Sequence, residues 1–256
     1  MIHPTAIVEA GARLAPDVSV GAYTLIGPQV EIGAGSSVGP HVVIEGRTRI
    51  GRNNRIWQFA SIGAMPQDKK YAGEDTSVEI GDGNTIREYV TINRGTVGDA
   101  RVTRVGDDNW IMAYVHFAHD CQIGSHTIFA NYSGVAGHVR VGDWAILGAA
   151  TLAHQFVRIG AHSFTGMGTY LDRDLPPFVR AAGNMAQPYG INSVGLRRRG
   201  MPAATIDALK RAYKTIYRSG LGQEEVRREL EAQAATCPEV RVIVEFLDAS
   251  KRGIIR

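Results

Sequence analysis

The chain repeats every six residues. From Ile2 onward each sixth position is a branched aliphatic: Ile2, Val8, Leu14, Val20, Ile26, Ile32, Val38, Ile44, Ile50, Ile56 and Ile62. The phase restarts at Ile80, Ile86 and Ile92, and again at Val105, from where it runs to Leu171. Four places after most of these aliphatics stands a small or β-branched residue, such as Ala12, Val18, Thr24, Val30 and Ser36. The place just after is often glycine: Gly21, Gly27, Gly33, Gly39, Gly51, Gly63. A period of six fits neither the 3.6 of a helix nor a long alternating strand, so each hexad is a short strand and a bend. Three hexads close a triangle, giving a parallel β-helix of about 18 residues per coil whose strands pair coil to coil at roughly 4.8 Å. One aliphatic per side points to the axis, and the glycines are expected to take the backbone angles that the corners need. The reading is an all-β solenoid of roughly ten coils over residues 1–185, with inserts near 63–79 and 93–104.

Thirty glycines among 256 residues, against 7% aromatics, suit a turn-dense solenoid, and 44% hydrophobic residues exclude disorder. Collagen is excluded because no glycine recurs at every third place. No apolar run approaches the roughly 20 residues that span a bilayer. The start, Met1 to Thr5, lacks a basic region followed by an apolar stretch, so the cytoplasm is the expected compartment. Cys121 and Cys237 fit reduced thiols better than a disulfide framework.

The hexads stop at Arg180, with Asp172 to Pro177 marking the exit and a linker rich in Gly, Asn and Pro expected next. Apolar residues return as a helical stripe at Ile206, Leu209, Tyr213, Ile216 and Tyr217, with Pro202 at its start and Gly220 and Gly222 at its end. A second helix carries Val226 and Leu230, and a third, after Pro238, carries Val240, Val244 and Leu247. Residues 186–256 therefore read as a C-terminal α-helical domain. Residues 1–179 hold 14 Lys/Arg and 17 Asp/Glu, whereas 180–256 hold 14 and 8. The basic end points to an acidic or phosphate-bearing ligand, or to a solvated helix surface.

Residues 18 apart lie one above another, which turns spacing into a candidate site. His119 falls below Gly137 and Gln155, Asp120 falls below His138, and His154 lies one place off the His119 column. Histidine is the natural general base near neutral pH; an aspartate can orient the imidazole, and a bare glycine amide can donate to an oxyanion. The plainer reading is that outward corners are polar in any case.

These hexads, His116-Phe117-Ala118-His119-Asp120-Cys121, Ala136-Gly137-His138, His154-Gln155-Phe156, the insert Gln67 to Glu74 and the tail Gly195 to Gly200 resemble the UDP-N-acetylglucosamine O-acyltransferases that begin lipid A biosynthesis. The resemblance runs from the first residues to Arg256. It implies a left-handed parallel β-helix, a homotrimer with sites between subunits, and transfer of a 3-hydroxyacyl group from acyl carrier protein to the sugar 3-hydroxyl, with no metal and no cofactor. Nucleic acid and membrane are not among the partners it implies. By the resemblance His119 is the general base, Asp120 its partner and Gly137 the oxyanion donor. His116, His138, His154, Gln155, Asp68 and Lys70 match substrate-pocket positions, and Asn192, Arg198 and Arg199 match nucleotide contacts. Val194 stands where many members have Glu, and Asn93 where some have His. Met167 stands where members taking long chains resemble a glycine, which implies an acyl-chain ruler and a chain of about ten carbons.

Three other functions stand beside this one. A coenzyme A-dependent acyltransferase of the same hexapeptide class uses much the same site. A γ-type carbonic anhydrase holds zinc with three histidines across a subunit interface, for which His116, His119 and His138 are candidates. A trimeric scaffold binds substrates without turnover.

Overall fold

The computed structural model describes residues 1–256 and contains three sheets of nine, eight and ten strands, parallel but for the last strand of the third. They are the faces of a left-handed triangular solenoid, numbered one to three from their first strands, Ile7–Val8, Arg13–Leu14 and Ser19–Val20. Most strands hold only two residues. Each pairs with the strand one coil above, as His116 with Gly134 and then Gly134 with Leu152 on face one. The aliphatic of each hexad is buried from Val20 onward, whereas Ile2, at the open end, is 49% exposed.

The corners differ from expectation in how glycine is used. Of the six glycines that follow an aliphatic, only Gly63 has a positive φ. The left-handed position is the third after the aliphatic, and tyrosine, histidine, phenylalanine, asparagine or aspartate usually fills it. Gly21 is needed for closeness instead: a Cβ there would lie 2.5 Å from the Pro40 nitrogen of the next coil. Large side chains tolerate the left-handed position because each stacks on its neighbour a coil away. Tyr23, His41, Phe59, Tyr89, Tyr114 and Tyr132 form such a column on the third corner, with centroids 4.7 to 5.3 Å apart.

Both inserts leave the first corner, between faces one and two. One lies between strands Ser61–Ala64 and Ser77–Ile80, the other between Thr91–Asn93 and Val102–Val105. Pairing resumes above each, so the solenoid continues through both.

After the last hexad the chain does not enter a plain linker. Val179–Ala182 joins face three, and Gln187–Ile191 returns antiparallel to it, a hairpin that straddles residue 185. A short helix missed in the sequence follows, α1 (Ser193–Arg198), then α2 (Ala203–Arg218), α3 (Gln223–Ala234) and α4 (Pro238–Ala249). Glycine and proline density hid the hairpin and α1. Ile206, Leu209, Ile216, Leu230, Val240 and Val244 pack into a second core, while Tyr213 joins the solenoid core and its hydroxyl donates to the Pro188 carbonyl. The C-terminal segment returns to the solenoid at Asp174, whose carboxylate accepts from Arg158 N–H and Ser250 Oγ–H.

Inside the second corner runs a buried polar ladder. Asn54 Oδ1 accepts from Asn84 N–H and Nδ2–H, both at 3.0 Å. Asn84 Oδ1 accepts from Asn109 N–H at 2.9 Å, and Asn109 Oδ1 accepts from Thr127 N–H at 2.8 Å. The spacing along this ladder is 30, then 25, then 18 residues, so it keeps adjacent coils in register across the two inserts. Asn84→Ala removes the acceptor of Asn109 N–H and the donor to Gly106 O. With a buried N–H and a part-buried carbonyl left without these partners, the expected loss is about 3 kcal/mol. A lowered denaturant midpoint checks it, and an unchanged midpoint would show that the ladder is not needed.

Candidate active site

Four residues of the candidate set meet on the first corner. The chain enters from strand His116–Phe117 and leaves at Gln122–Ile123, and the same path one coil higher runs from Gly134–Val135 to Arg140–Val141. Asp120 and His138 hold the left-handed position of their turns, at φ 60° and 64°. His119 and Gly137 come one residue earlier, where the backbone N–H donates to no other group of the chain.

His119 Nδ1 lies 3.0 Å from Asp120 Oδ2. The Asp120 side chain has no solvent exposure and that of His119 has 16%. Asp120 Oδ2 also accepts from Thr96 N–H at 2.9 Å and Thr96 Oγ1–H at 2.6 Å. Burial pushes the Asp120 carboxyl pKa up, but the His119 and Thr96 hydrogen bonds and the His138 charge outweigh it, holding the pKa below its ordinary value. The carboxylate is therefore a fixed negative partner whose only available role is to accept.

Gly137 sits against the His119 ring. A Cβ on it would lie 2.6 Å from His119 Nε2, so any side chain would occupy the space between imidazole and amide. The His138 ring meets His119 edge to face, centroids 4.9 Å apart at 87°, and lies flat on Phe156 at 4.4 Å and 3°. Its Nδ1 is 3.0 Å from Asp99 Oδ2. A cleft of about 680 Å³ opens beside His138, with Asp68 and Lys70 of the first insert and Asp99 of the second among its walls.

His154 and Gln155 continue this corner a coil higher, between strands Leu152–Ala153 and Arg158–Ile159, and the other candidates lie off it. His116, on face one, pairs through Nδ1 with Thr91 Oγ1 at 2.7 Å; burial and then the His119 charge lower its pKa. His154 Nδ1 lies 3.2 Å from the Gln155 carbonyl, and Gln155 is exposed two coils above His119. Met167 is 79% exposed on the third corner, between strands Phe164–Thr165 and Tyr170–Leu171. Asn93 is buried and donates through Nδ2 to the Met65 carbonyl, whereas Val194 is exposed on α1.

Asn192, Arg198 and Arg199 belong to the second corner. Asn192 caps α1, accepting from Gly195 N–H and donating to the His162 carbonyl. Arg199 donates to the Trp144 carbonyl at 2.9 Å, stacks its guanidinium over the Trp144 ring at 5.1 Å, and faces His162 Nδ1 at 3.3 Å. Arg198, in the last turn of α1, is exposed. In one chain these residues and His119 therefore occupy different corners of the triangle.

Thr96, Asp99 and Phe156 are functional candidates that the sequence reading missed. Phe156 was available, since it continues the Asp120–His138 column by a further 18 residues. Thr96 and Asp99 were not, because the insert breaks the repeat and spacing no longer reports position.

The ligand atoms of His119, Asp120 and His138 lie within 4.8 Å of one another. His116 is not in that group, so a three-histidine metal set does not gather within one chain. In addition, Nδ1 of both rings already faces a carboxylate.

On the second corner, burial and then the Arg199 charge depress the His162 pKa to about 4, against an opposing pull from Asp143. An unfolded histidine titrates near ~6.5, so the native state disfavours the proton. The associated stability is whole above that value and is lost as pH falls through the folded pKa. Arg199→Ala is expected to raise the His162 pKa and flatten the loss of stability between pH ~6.5 and about 4. Titration of the ring protons by NMR checks this, and an unmoved resonance would contradict it.

Comparison with known proteins follows the same lines. A family model described as UDP N-acetylglucosamine O-acyltransferase, domain 2, matches residues 174–255, and one for the bacterial transferase hexapeptide (six repeats) matches residues 103–137. An acyl-acyl carrier protein–UDP-N-acetylglucosamine O-acyltransferase of Janthinobacterium sp. (strain Marseille) is 60% identical, and one of Thiobacillus denitrificans is 56% identical; each comparison covers 100% of this chain and 99% of the relative. Among solved structures, the UDP-N-acetylglucosamine acyltransferase of Francisella novicida is 40% identical with a TM-score of 0.98, covering 100% of this chain and 94% of that one. The UDP-N-acetylglucosamine O-acyltransferase of Moraxella catarrhalis is 44% identical with a TM-score of 0.97, covering 100% of this chain and 99% of that one.

Proposed function

The chain belongs to the family of UDP-N-acetylglucosamine O-acyltransferases that draw on acyl carrier protein, and from that premise we propose how its corner carries out the transfer. His119 Nε2 takes the proton of the glucosamine 3-hydroxyl. The freed oxygen attacks the thioester carbonyl of a 3-hydroxyacyl group on acyl carrier protein, and the Gly137 N–H donates to the resulting oxyanion. Collapse expels the carrier thiolate, which takes up the proton held on His119. Asp120 orients the imidazole throughout and stabilises its charged form. The observation that carries this reading is the His119–Asp120 pair at 3.0 Å beside a corner amide that no side chain covers.

The separation of His119 from Asn192, Arg198 and Arg199 supports a site completed between subunits. In a homotrimer the second corner of one subunit supplies the nucleotide contacts to the first corner of the next. Lys70 and Asp68, on the cleft wall, are assigned to contacts with the substrates. His138, His154, His116 and Gln155 are assigned to the sugar and acyl portions. No helix is long and apolar enough to cross a membrane, and the proposed setting is the cytoplasm, where both substrates are soluble.

His119→Ala is expected to lower turnover by at least about 10²-fold with the assembly intact. Assay with UDP-N-acetylglucosamine and carrier thioesters checks it, and near-normal turnover would remove His119 from the mechanism. A coenzyme A thioester serving as well as the carrier thioester would favour the runner-up donor.

Met167 projects into solvent in one chain, which suits a side chain that meets its target only across an interface. We assign it as the ruler that limits the acyl chain to about ten carbons, because burying further methylenes behind a fixed wall is unfavourable by about 1–3 kcal/mol. Met167→Gly is expected to shift preference toward twelve or fourteen carbons. Steady-state rates across the three lengths decide it, and a wild-type preference for fourteen would refute the ruler.

A further inference from the structure

The second insert grips both imidazoles of the corner, and the grip on His138 is a separate one. Thr96 acts through Asp120 on His119, whereas Asp99, three residues on, faces His138 directly, with its Oδ2 3.0 Å from Nδ1. Asp120 is also near that nitrogen, but at 3.9 Å it is beyond hydrogen-bond distance, and its Oδ2 already serves Thr96 and His119. The His138 side chain is 13% exposed and the Asp99 carboxylate 40%.

A carboxylate only accepts, and a neutral imidazole has one donor and one acceptor nitrogen. Opposite Asp99, the proton must sit on Nδ1. Nε2 is then bare and can accept a hydrogen bond from a hydroxyl. The flat contact with Phe156 fixes the plane of the ring but is blind to a half-turn about the Cβ–Cγ bond, which exchanges the two edges. Asp99 is the only contact near 3 Å that distinguishes them. We propose that Asp99 is a positioning residue that locks His138 as the Nδ1–H tautomer and so makes Nε2 an acceptor for a substrate hydroxyl, an inference that rests on the acyl-transfer reading of this corner.

Two hydroxyls of the proposed reaction have the required chemistry, one on the sugar and one at position 3 of the acyl chain. Asp99→Ala is expected to lower kcat/KM about tenfold, the scale of losing one hydrogen bond to a charged group, while the denaturant midpoint stays near wild type. Asp99→Asn keeps an acceptor oxygen and is expected to fall between the two, and Asp99→Glu to recover most of the loss. A rise in KM for the sugar nucleotide alone identifies the sugar hydroxyl. Loss of discrimination between 3-hydroxyacyl and plain acyl thioesters identifies the acyl hydroxyl.

The tautomer can be read without turnover, which keeps this inference distinct from the proposed activity. In ¹⁵N-histidine-labelled protein, the resonances missing from His138→Gln identify His138, and their long-range couplings to the ring protons report which nitrogen carries hydrogen. Nδ1–H in the wild type and a mixed population in Asp99→Ala are expected. Nε2–H in the wild type, or the same pattern in both proteins, would overturn the role of Asp99 even if the enzyme proves active.

Discussion

Everything in this molecule depends on the hydrogen bonds that run from coil to coil. Two-residue strands cannot persist alone, but stacked in three ladders they hold each turn in register with the next, as Gln122 with Arg140 and Arg140 with Arg158 on face two. That register converts distance along the chain into height along an axis. A side chain is placed by its residue number, and its neighbours are those about 18 positions away. The aromatic column of the third corner and the amide ladder of the second are two results of the same arithmetic.

The first corner uses both the register and its interruption. Register alone sets His119 under Gly137, and Asp120 under His138 and Phe156. It does not decide which way an imidazole faces or which nitrogen carries its proton. Those choices fall to Thr96 and Asp99, which belong to a segment outside the repeat. A solenoid this regular can absorb such a segment because pairing resumes directly above it, Thr91 with His116 on one side and Arg104 with Gln122 on the other. The rigid coils supply position, and the inserted loop supplies orientation.

The same division explains what could be read in the sequence. The hexads gave the solenoid, the inward aliphatics and the columns at the site, because a strict period carries three-dimensional information. The stripe from Ile206 to Ile216 likewise marked α2, since its spacing repeats. What was missed lacks a period. The Val179–Ile191 hairpin and α1 lie in a stretch punctuated by Gly, Asn and Pro, where local signals for turn and for loop are alike. The role given to corner glycines was displaced for a different reason. Stacking makes the left-handed angle tolerable for large side chains, so glycine is reserved for the places where the next coil comes too near for a Cβ.

Within one chain the proposed base, His119, and the proposed nucleotide contacts, Arg198 and Arg199, stand at different corners, and the proposed mechanism requires that they meet across a subunit boundary. Mixing two impaired variants tests this directly. His119→Ala lacks the proposed base and Arg199→Ala the proposed nucleotide contact, but a mixed trimer would contain some interfaces where an intact first corner faces an intact second corner. Random assembly of equal amounts should restore turnover at up to about a quarter of the interfaces in a heterologous ring. Recovery of that order after co-refolding is the expected result. Turnover no greater than the sum of the separate variants, in trimers shown to be mixed, would contradict a site shared between subunits.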